Sequence, residues 1–379
     1  MDAKVNVPAP IAQGEDEEAA ANSSADVMVA GAEAHIYSPA MVVQPVVAPK
    51  VNIFGELDGQ QPKSSAGRAD FGFQQHTYSD EGYDGEVHID PTGKWLVFSS
   101  TRHHVKPEIY VQRVDRTSVT QLTSDPAEDV QPVFSPDGRA IAFASTRAGS
   151  WDIYTMDVDG KNVAQVTSGP GQDMHPTFSP DGTRLAYCSI GGRSNQWEIW
   201  VVTLATRERK MVGYGLFPSW SPDKSVDRIA FQRARQRGSR WFSLWTMDLV
   251  DGEARRITEV AVSSNAAIVS PTWSPDGKRL AFTTIVEPAQ MNKGKLRGQQ
   301  DIWVIDADGG NRHRVTDGTG TNLSPCWAAD NRVYFVSDRG GQENIWSVRA
   351  ESRGMSWPVA VKKEAEPKSA LGSTDPEPK

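Results

Sequence analysis

The sequence lacks several features that would place it in other protein classes. Two cysteines in 379 residues are too few for a disulfide framework. No apolar run approaches the roughly 18 residues of a membrane span. The start, Met1-Asp-Ala-Lys-Val5, has no basic segment followed by an apolar core, as a signal peptide would. We therefore expect no transmembrane segment. We expect a cytoplasmic location with peripheral membrane attachment left open, or a periplasmic location if the N-terminus is incomplete.

Motifs for catalysis and metal binding are also missing. The sequence has no Gly-x-Ser-x-Gly, His-Glu-x-x-His or Walker-type loop. Asp157-Val-Asp-Gly160 and Asp306-Ala-Asp-Gly309 look like the start of calcium loops, but the sixth and twelfth positions lack Gly and Glu. We predict no catalytic residue, no cofactor and no metal, so the chain is not expected to be an enzyme. A metal-dependent hydrolase or lyase remains an alternative.

The charge distribution argues against a further class, the nucleic-acid-binding proteins. The formal net charge is −8, and residues 1–70 hold ten acidic and four basic side chains. The rest of the chain is therefore close to neutral, which argues against nucleic-acid binding. The acidic, proline-containing first 70 residues and residues 362–379 bury too little apolar surface to offset their chain entropy, and we predict disordered or extended tails there.

What the sequence does contain is a repeat. An aliphatic residue is followed at once by Trp or Tyr at six places, 43 to 58 residues apart: Ile109-Tyr110, Ile153-Tyr154, Ile199-Trp200, Leu244-Trp245, Ile302-Trp303 and Ile345-Trp346. In five of them the preceding residue is Asp, Glu or Asn. A period of this length is typical of stacked supersecondary units that cannot bury their apolar faces alone.

A turn motif recurs in step with the first repeat. Ser-Pro-Asp-Gly occurs at residues 135–138, 179–182 and 274–277, with degenerate copies beginning at Asp90, Ser221 and Ala328. Pro, Asp and Gly suit a tight hairpin. A second turn follows each Ile-Trp strand, and a closing strand such as Gln121-Leu-Thr123 comes next. Each unit therefore has four antiparallel strands, and the sequence predicts an all-β, six-bladed β-propeller over residues 71–361.

The chain ends indicate how the ring closes. Gln75-His76-Thr77 stands at the spacing of an outer strand but has no blade before it, and the last Ile-Trp copy has no outer strand of the Gln-x-Thr type after it. An N-terminal strand that completes blade six would leave no open edge. The apolar residues 357–361 are the alternative for that place.

The repeat resembles the propeller of TolB and its relatives. The resemblance rests on Ser-Pro-Asp-Gly, Asp-Ile-Trp and the closing Leu-Thr, and it covers residues 71 to 348. It implies a propeller without catalysis that binds other proteins, as TolB does in the periplasmic Tol–Pal envelope system. The residues ahead of the propeller are too few and too polar for the α/β domain of TolB.

Three groups of residues are candidate binding sites. The first group lies at the predicted channel mouth and consists of Asp84, Glu86, Asp129, Asp173 and His175. These side chains either line a water-filled entrance or bind a cation or a basic ligand group. The loops of blades four and five carry Arg233, Arg235, Arg237, Arg240, Lys293, Lys295 and Arg297, suited to an acidic partner or an anionic membrane. The tail carries Val42, Val43, Val46, Val47, Ile53 and Phe54 in a proline-broken apolar segment. Solvated loops and a plain linker remain the alternatives for the last two groups.

Together these observations predict a protein–protein interaction module, an accessory or scaffold subunit of a larger bacterial, membrane-associated complex. A TolB-like component of the envelope, in a Tol–Pal-type system, is the second reading. The partners expected are other proteins and not nucleic acid.

The closure model makes a prediction about truncation. Deleting residues 1–60 should leave the melting transition nearly unchanged, whereas deleting residues 1–80 exposes a blade edge and should cost several kcal/mol, a large part of the stability of about 5–15 kcal/mol of a typical domain. Thermal and urea unfolding measure both. Equal stability of the two truncated chains would contradict closure by the N-terminal strand.

Overall fold

The computed structural model describes residues 72–191, 196–234, 242–263, 266–286 and 300–351. Within these residues the chain forms 24 strands in six antiparallel sheets of four. The predicted tails, the ends of the predicted domains and residues 357–361 lie outside the described part.

The blades follow one another along the chain, each from its innermost to its outermost strand. Blade one has β2 (Asp84–Ile89), β3 (Trp95–Ser100), β4 (Glu108–Arg113) and β5 (Val119–Gln121). Blade two has β6 (Asp129–Phe134), β7 (Ala140–Ser145), β8 (Asp152–Asp157) and β9 (Ala164–Gln165). Blade three has β10 (Gln172–Phe178), β11 (Arg184–Ile190), β12 (Glu198–Thr203) and β13 (Arg209–Tyr214).

The second half repeats the pattern. Blade four has β14 (Leu216–Trp220), β15 (Arg228–Ala234), β16 (Phe242–Val250) and β17 (Glu253–Ala261). Blade five has β18 (Ala266–Trp273), β19 (Arg279–Val286), β20 (Gln300–Asp306) and β21 (His313–Arg314). Blade six has β22 (Asn322–Trp327), β23 (Arg332–Ser337) and β24 (Asn344–Arg349), and its fourth strand is β1 (Gln74–Gln75).

The six innermost strands surround an axial channel. Each contacts the innermost strand of the next blade, and β22 contacts β2, so the ring is closed. Because the strands alternate in direction, the turns between the first and second strands and between the third and fourth strands lie at one end, here called the turn face. The remaining loops and the links between blades lie at the opposite end, the loop face.

A buried threonine explains why the two sequence landmarks recur together. In blade one the Ile109 amide donates to Thr123 Oγ1 (2.9 Å), and that hydroxyl donates to the Glu108 carboxylate (2.6 Å). Blade five repeats the arrangement with Thr316 between Ile302 and Asp301. The acid before Ile-Trp and the closing threonine are therefore partners in one hydrogen-bond network that holds the outer strand to the third strand.

The same network identifies the closing strand. Thr77 Oγ1 accepts from the Ile345 amide (2.9 Å) and donates to Asn344 Oδ1 (3.2 Å). Gln74 and Gln75 pair with Ser347 and Trp346 of β24. His76 joins this strand to blade one as well, because its carbonyl accepts from the Gln112 side chain (2.7 Å). Closure by the N-terminal strand is confirmed.

Blades three and four hold their outer strands differently. Neither has the acid–threonine pair, and β13 and β17 run for 6 and 9 residues, against 2 or 3 in the other blades. A longer ladder of backbone hydrogen bonds thus replaces the buried side-chain link. The closing-strand motif predicted from the sequence did not indicate this length.

The hydrophobic core lies between neighbouring blades. Phe98 and Tyr110 of blade one, for example, share a cluster with Tyr334 and Ile345 of blade six. Cys188 and Cys326 are both buried free thiols, on β11 and β22. None of the described residues belongs to a helix long and apolar enough to cross a membrane.

Thr77→Ala tests the closing link. The change leaves the buried Ile345 amide without its hydroxyl acceptor and removes one of the two donors to Asn344 Oδ1, which keeps the Ser79 amide. The free energy of unfolding should therefore fall by about 1–3 kcal/mol. Thr120→Ala is the matched control, since Thr120 is an exposed threonine on the outer strand of blade one. Urea denaturation of the full chain measures both. Equal effects of the two substitutions would contradict a special role for Thr77.

Candidate functional site

The axial channel is the place where side chains of all six blades meet, and it has three levels. The first level, near the loop face, contains the predicted mouth acids. Asp84 is fully buried, and its two carboxylate oxygens each accept from Arg102 Nη2 at 2.7 Å. Asp129 is held in the same way by Arg147 at 3.0 and 2.9 Å. These carboxylates are therefore neutralised inside the blades and do not line an open, wet funnel.

The pairing follows a pattern that the sequence contained. In blades one, two and six the second strand ends in Ser-x-Arg, and the arginine returns to the first residue of the inner strand. In blade six that residue is Asn322, which keeps the geometry without the charge. Blade three has Gly191 in place of the arginine, and Asp173 is instead 4.0 Å from Arg209. Sequence reasoning recognised the acids but missed the arginines two residues after each second-strand serine.

The second level is a ring of six residues with left-handed backbone. Each lies at a register shift in its inner strand and has φ between 49° and 57°: Glu86, Gln131, His175, Phe217, Ser270 and Ser324. This conformation is uncommon for residues other than glycine. In five of the six blades the next residue is proline, which fits a bulge because it has no amide to donate to the ladder. That proline was the available sequence signal.

Side chains of this ring link one blade to the next. The Gln131 amide donates to Glu86 Oε2 (3.1 Å), and the His175 amide donates to Gln131 Oε1 (2.8 Å). The His175 ring then stacks on Phe217 at 3.8 Å between centroids. At Gln131, His175 and Ser270 the left-handed bulge thus turns the backbone amide toward a side chain of the preceding blade. The structure brings the predicted Glu86 and His175 into one network that spans blades one to four.

Burial sets the protonation of this ring. Burial raises the pKa of Glu86 to about 7, although Ser99 and the Gln131 amide donate to Oε2 and oppose the shift. Glu86 Oε1 has no hydrogen-bond partner. Burial lowers the pKa of His175 to about 3, so its imidazole is neutral at physiological pH. Within the described residues no group of three potential metal ligands comes together.

The third level is a cavity at the turn face. It measures about 380 Å³ and is lined by residues of all six blades. Its rim is an apolar collar formed by the turn residues Pro91, Pro136, Pro180, Pro222, Pro275 and Ala329. Deeper in, Phe134, Phe178, Trp220, Trp273 and Trp327 form the wall. Lys224 and Asp90 are the charged residues among its lining, and Asp90 accepts from the Lys94 and Trp95 amides of its own turn.

The collar continues into a groove between blades two and three. This second cavity measures about 390 Å³ and shares Ser135, Pro136, Phe178, Pro180 and Lys224 with the first. Arg139 and Arg207 lie farther along it. The turn face therefore presents a central cavity with a proline rim and a mixed polar and apolar lining, and the groove extends it toward the outer edge. Sequence reasoning placed the binding sites elsewhere, and the repeated turn proline was the signal for this one.

The other predicted binding residues are mostly outside the described part of the chain. Arg233 lies at the end of β15, where its guanidinium is 5.7 Å from the Trp245 ring centroid. Arg235, Arg237, Arg240, Lys293, Lys295 and Arg297 lie outside the described residues, as do the six apolar tail residues from Val42 to Phe54. Their role as a docking surface stays a prediction.

Six four-stranded blades closed by an N-terminal strand define the class as a six-bladed β-propeller. The model of the Tricorn protease N-terminal beta propeller domain matches residues 152–363, more than half of the chain. The model of the TolB beta propeller domain matches residues 70–173. The chain belongs to this family of TolB-like six-bladed β-propellers.

Individual relatives match over shorter stretches. The Tol-Pal system protein TolB of Bordetella pertussis is 30% identical over 140 residues, which covers 27% of this chain and 32% of that protein. An uncharacterized protein of Agrobacterium fabrum is 38% identical over 80 residues, covering 21% of this chain and 24% of that protein. The chain thus spans about a third or less of the length of these curated relatives.

Solved structures share the fold. A TolB structure from Agrobacterium tumefaciens superposes with a TM-score of 0.54 at 20% identity, covering 70% of this chain and 90% of that chain. A gluconolactonase from Xanthomonas campestris superposes with a TM-score of 0.52 at 13% identity, and the match covers 73% of this chain and 89% of that chain. At these identities the likeness concerns the fold alone, which serves both binding proteins and enzymes.

Glu86→Gln tests the electrostatics of the ring. Because the folded-state pKa of Glu86 is raised to about 7, the folded protein binds more protons than the unfolded chain between about pH 4.5 and 7. The stability contributed by this group is therefore lost as the pH rises through that window, by up to about 3 kcal/mol. The variant should lack this loss.

Urea unfolding of both proteins at several pH values gives the free energy of unfolding as a function of pH. The profile of the variant is then subtracted from that of the natural sequence. His76 and His88, whose pKa values burial lowers to about 4, contribute in the opposite direction but occur in both proteins and cancel. A difference profile that is flat from pH 5 to 8 would mean that Glu86 is not buried as described.

Proposed function

We propose that the protein is a non-catalytic interaction module, a propeller subunit that docks other proteins in a bacterial, envelope-associated assembly. The observation that carries the proposal is the turn-face cavity with its collar of five prolines and an alanine. A concave, largely uncharged centre with an apolar rim and polar groups among its aromatic walls is the chemistry of a protein-binding site.

The polar groups of the channel support the same proposal. Asp84 and Asp129 are each neutralised by an arginine, and Gln131 joins neighbouring blades through backbone amides. Groups engaged in this way stabilise the ring. The TolB relatives belong by name to the Tol-Pal system, which favours an envelope role. None of the comparisons supports the cytoplasmic location that the sequence favoured.

A second candidate is an enzyme that uses the channel. Glu86 favours it, since a carboxyl with a pKa near 7 and a free oxygen has the properties of a general acid or base. The solved structures that share the fold include a gluconolactonase, so the fold is compatible with catalysis. Against it, Glu86 Oε2 is already engaged by Ser99 and by the Gln131 amide, as in a structural link.

Affinity capture of the full chain from membrane, periplasmic and cytosolic fractions of its host tests the proposal. We expect specific protein partners, enriched from the envelope fractions. Replacing Arg233, Arg235, Arg237 and Arg240 with Ala should weaken capture and reduce its salt dependence, because exposed charges act mainly on encounter rates. A second variant replaces Lys94, Arg116, Lys161 and Lys278, four charges in turns of the face that holds the cavity. The pair compares the two faces, and weaker capture by the second variant alone would favour docking at the turn face.

The outcomes separate the alternatives. If both quadruple variants capture the same proteins at the same salt as the natural sequence, the loops of blades four and five are not the docking surface. If no fraction yields a partner and Glu86→Gln abolishes an activity on lactone substrates, the interaction module is the wrong function.

A further inference from the structure

Blade four differs from the other blades in the turn between its first and second strands, on the turn face. Its copy of Ser-Pro-Asp-Gly has Lys224 in place of the glycine. The Ser221 amide donates to the Arg228 carbonyl (2.8 Å), seven positions later, whereas in blade three the Ser179 amide donates to the Arg184 carbonyl (2.9 Å), five positions later. Lys224 lies in this longer turn and lines both the central cavity and the groove between blades two and three.

Two arginines lie farther along the groove. Arg139 belongs to the turn between the first and second strands of blade two, and Arg207 to the turn between the third and fourth strands of blade three. The Val158 amide donates to the Arg139 carbonyl (3.3 Å), and the Arg207 amide donates to the Thr203 carbonyl (2.8 Å). The groove thus receives one cationic side chain from each of three neighbouring blades, at backbone positions that the turns determine.

Within the described part of the chain, none of these three cations forms an ion pair. The carboxylates in the groove lining are Asp137 and Asp181, and their own turns engage them. Asp137 Oδ1 accepts from the Ser135 hydroxyl (2.6 Å), and Asp181 Oδ1 accepts from the hydroxyls of Ser179 (2.6 Å) and Thr183 (2.9 Å). Burial opposes ionisation of Asp181, but these hydrogen bonds lower its pKa to about 2. The groove therefore offers three cations to an anion from outside.

The rest of the groove lining is largely apolar. Pro136, Phe178 and Pro180 are shared with the central cavity, and Leu204 lies farther out. The volume of about 390 Å³ lies within the range of about 300–1,000 Å³ of ligand sites. An inorganic anion would leave the apolar lining without a contact, and the concave shape favours a peptide over a bilayer surface. An extended peptide with carboxylates among apolar residues matches both the charge and the shape.

We propose that the groove between blades two and three binds an extended acidic peptide segment of a partner protein. Lys224, Arg139 and Arg207 contact its Asp or Glu side chains, and its apolar end enters the proline-rimmed cavity. The inference rests on the proposed function and names the chemistry of the partner at the turn face.

Selection from a phage-displayed library of random dodecapeptides on the purified full chain tests the preference. We expect the enriched peptides to carry Asp or Glu next to apolar residues, because the groove combines unpaired cations with an apolar lining. A parallel selection uses the variant Arg139→Gln, Arg207→Gln, Lys224→Gln, which keeps the length of the side chains and removes their charge. Acidic residues should not be enriched there.

The affinity of one enriched peptide, measured by fluorescence anisotropy, tests the contact. The triple variant should bind it at least about tenfold more weakly and with a smaller salt dependence. A peptide with its acids replaced by Asn and Gln should bind the natural sequence about as weakly, and the triple variant should weaken it little further, because the two changes remove the same contacts.

The matched control is the variant Lys94→Gln, Arg116→Gln, Lys278→Gln. It removes the same number of charges from exposed turns of the same face, outside the groove lining. Its affinity for the peptide should stay within about twofold of the natural sequence, since isolated surface charges contribute little. Unchanged melting of both variants shows that the propeller is intact.

Three results would overturn the proposal. They are a selection that enriches no acidic peptide, an equal loss of affinity in the control variant, and sedimentation with phosphatidylglycerol vesicles that requires the three groove cations while no acidic peptide binds. The last would make an anionic membrane the ligand. A chain that captures host proteins but selects no acidic peptide refutes the groove alone. A chain that selects acidic peptides through the groove but captures no host protein supports the groove and counts against the interaction module.

Discussion

The structure depends on closing a ring from repeats that have no stability as single units. A blade offers its neighbours two apolar faces, so a ring with one unsatisfied edge exposes core residues such as Tyr110 and Tyr334. The closing contact spans the whole chain, because Thr77 and Ile345 are 268 residues apart. It uses the arrangement of threonine and backbone amide that holds the outer strand in blades one and five, with Asn344 in place of the acid. Closure is therefore an ordinary blade contact made between the two ends of the propeller.

Much of this fold was predictable because its determinants are local and repeated. The Ile-Trp strand, the Ser-Pro-Asp-Gly turn and the closing threonine recur with a period, and a period is visible without structure. The spacing of Gln75–Thr77 sufficed to identify the closing strand. The long outer strands β13 and β17 were not predictable in the same way, since the exchange of a buried side-chain link for a longer backbone ladder leaves no motif.

The candidate site was less predictable, because burial and pairing depend on residues distant in sequence. Asp84 and Arg102 are 18 residues apart, and sequence reasoning saw the acid without its counter-ion. The mouth acids therefore looked available, although the fold neutralises the pair inside a blade. Glu86 and His175 were placed correctly as members of one ring, but their left-handed backbone and the amides they engage appear only when neighbouring blades meet.

The two faces of the propeller differ in a way that follows from strand direction. Five of the six tight turns place a proline in the lining of the cavity and the sixth places Ala329, so the turns together leave an apolar rim around it. The long insertions occur on the loop face. Because β1 pairs antiparallel with β24 as the outer strand of blade six, it begins at the turn face, where Arg332 donates to the Gly72 carbonyl. The ring closure that stabilises the fold thus also brings the two ends of the described propeller, Gly72 and Ala350, to the same face.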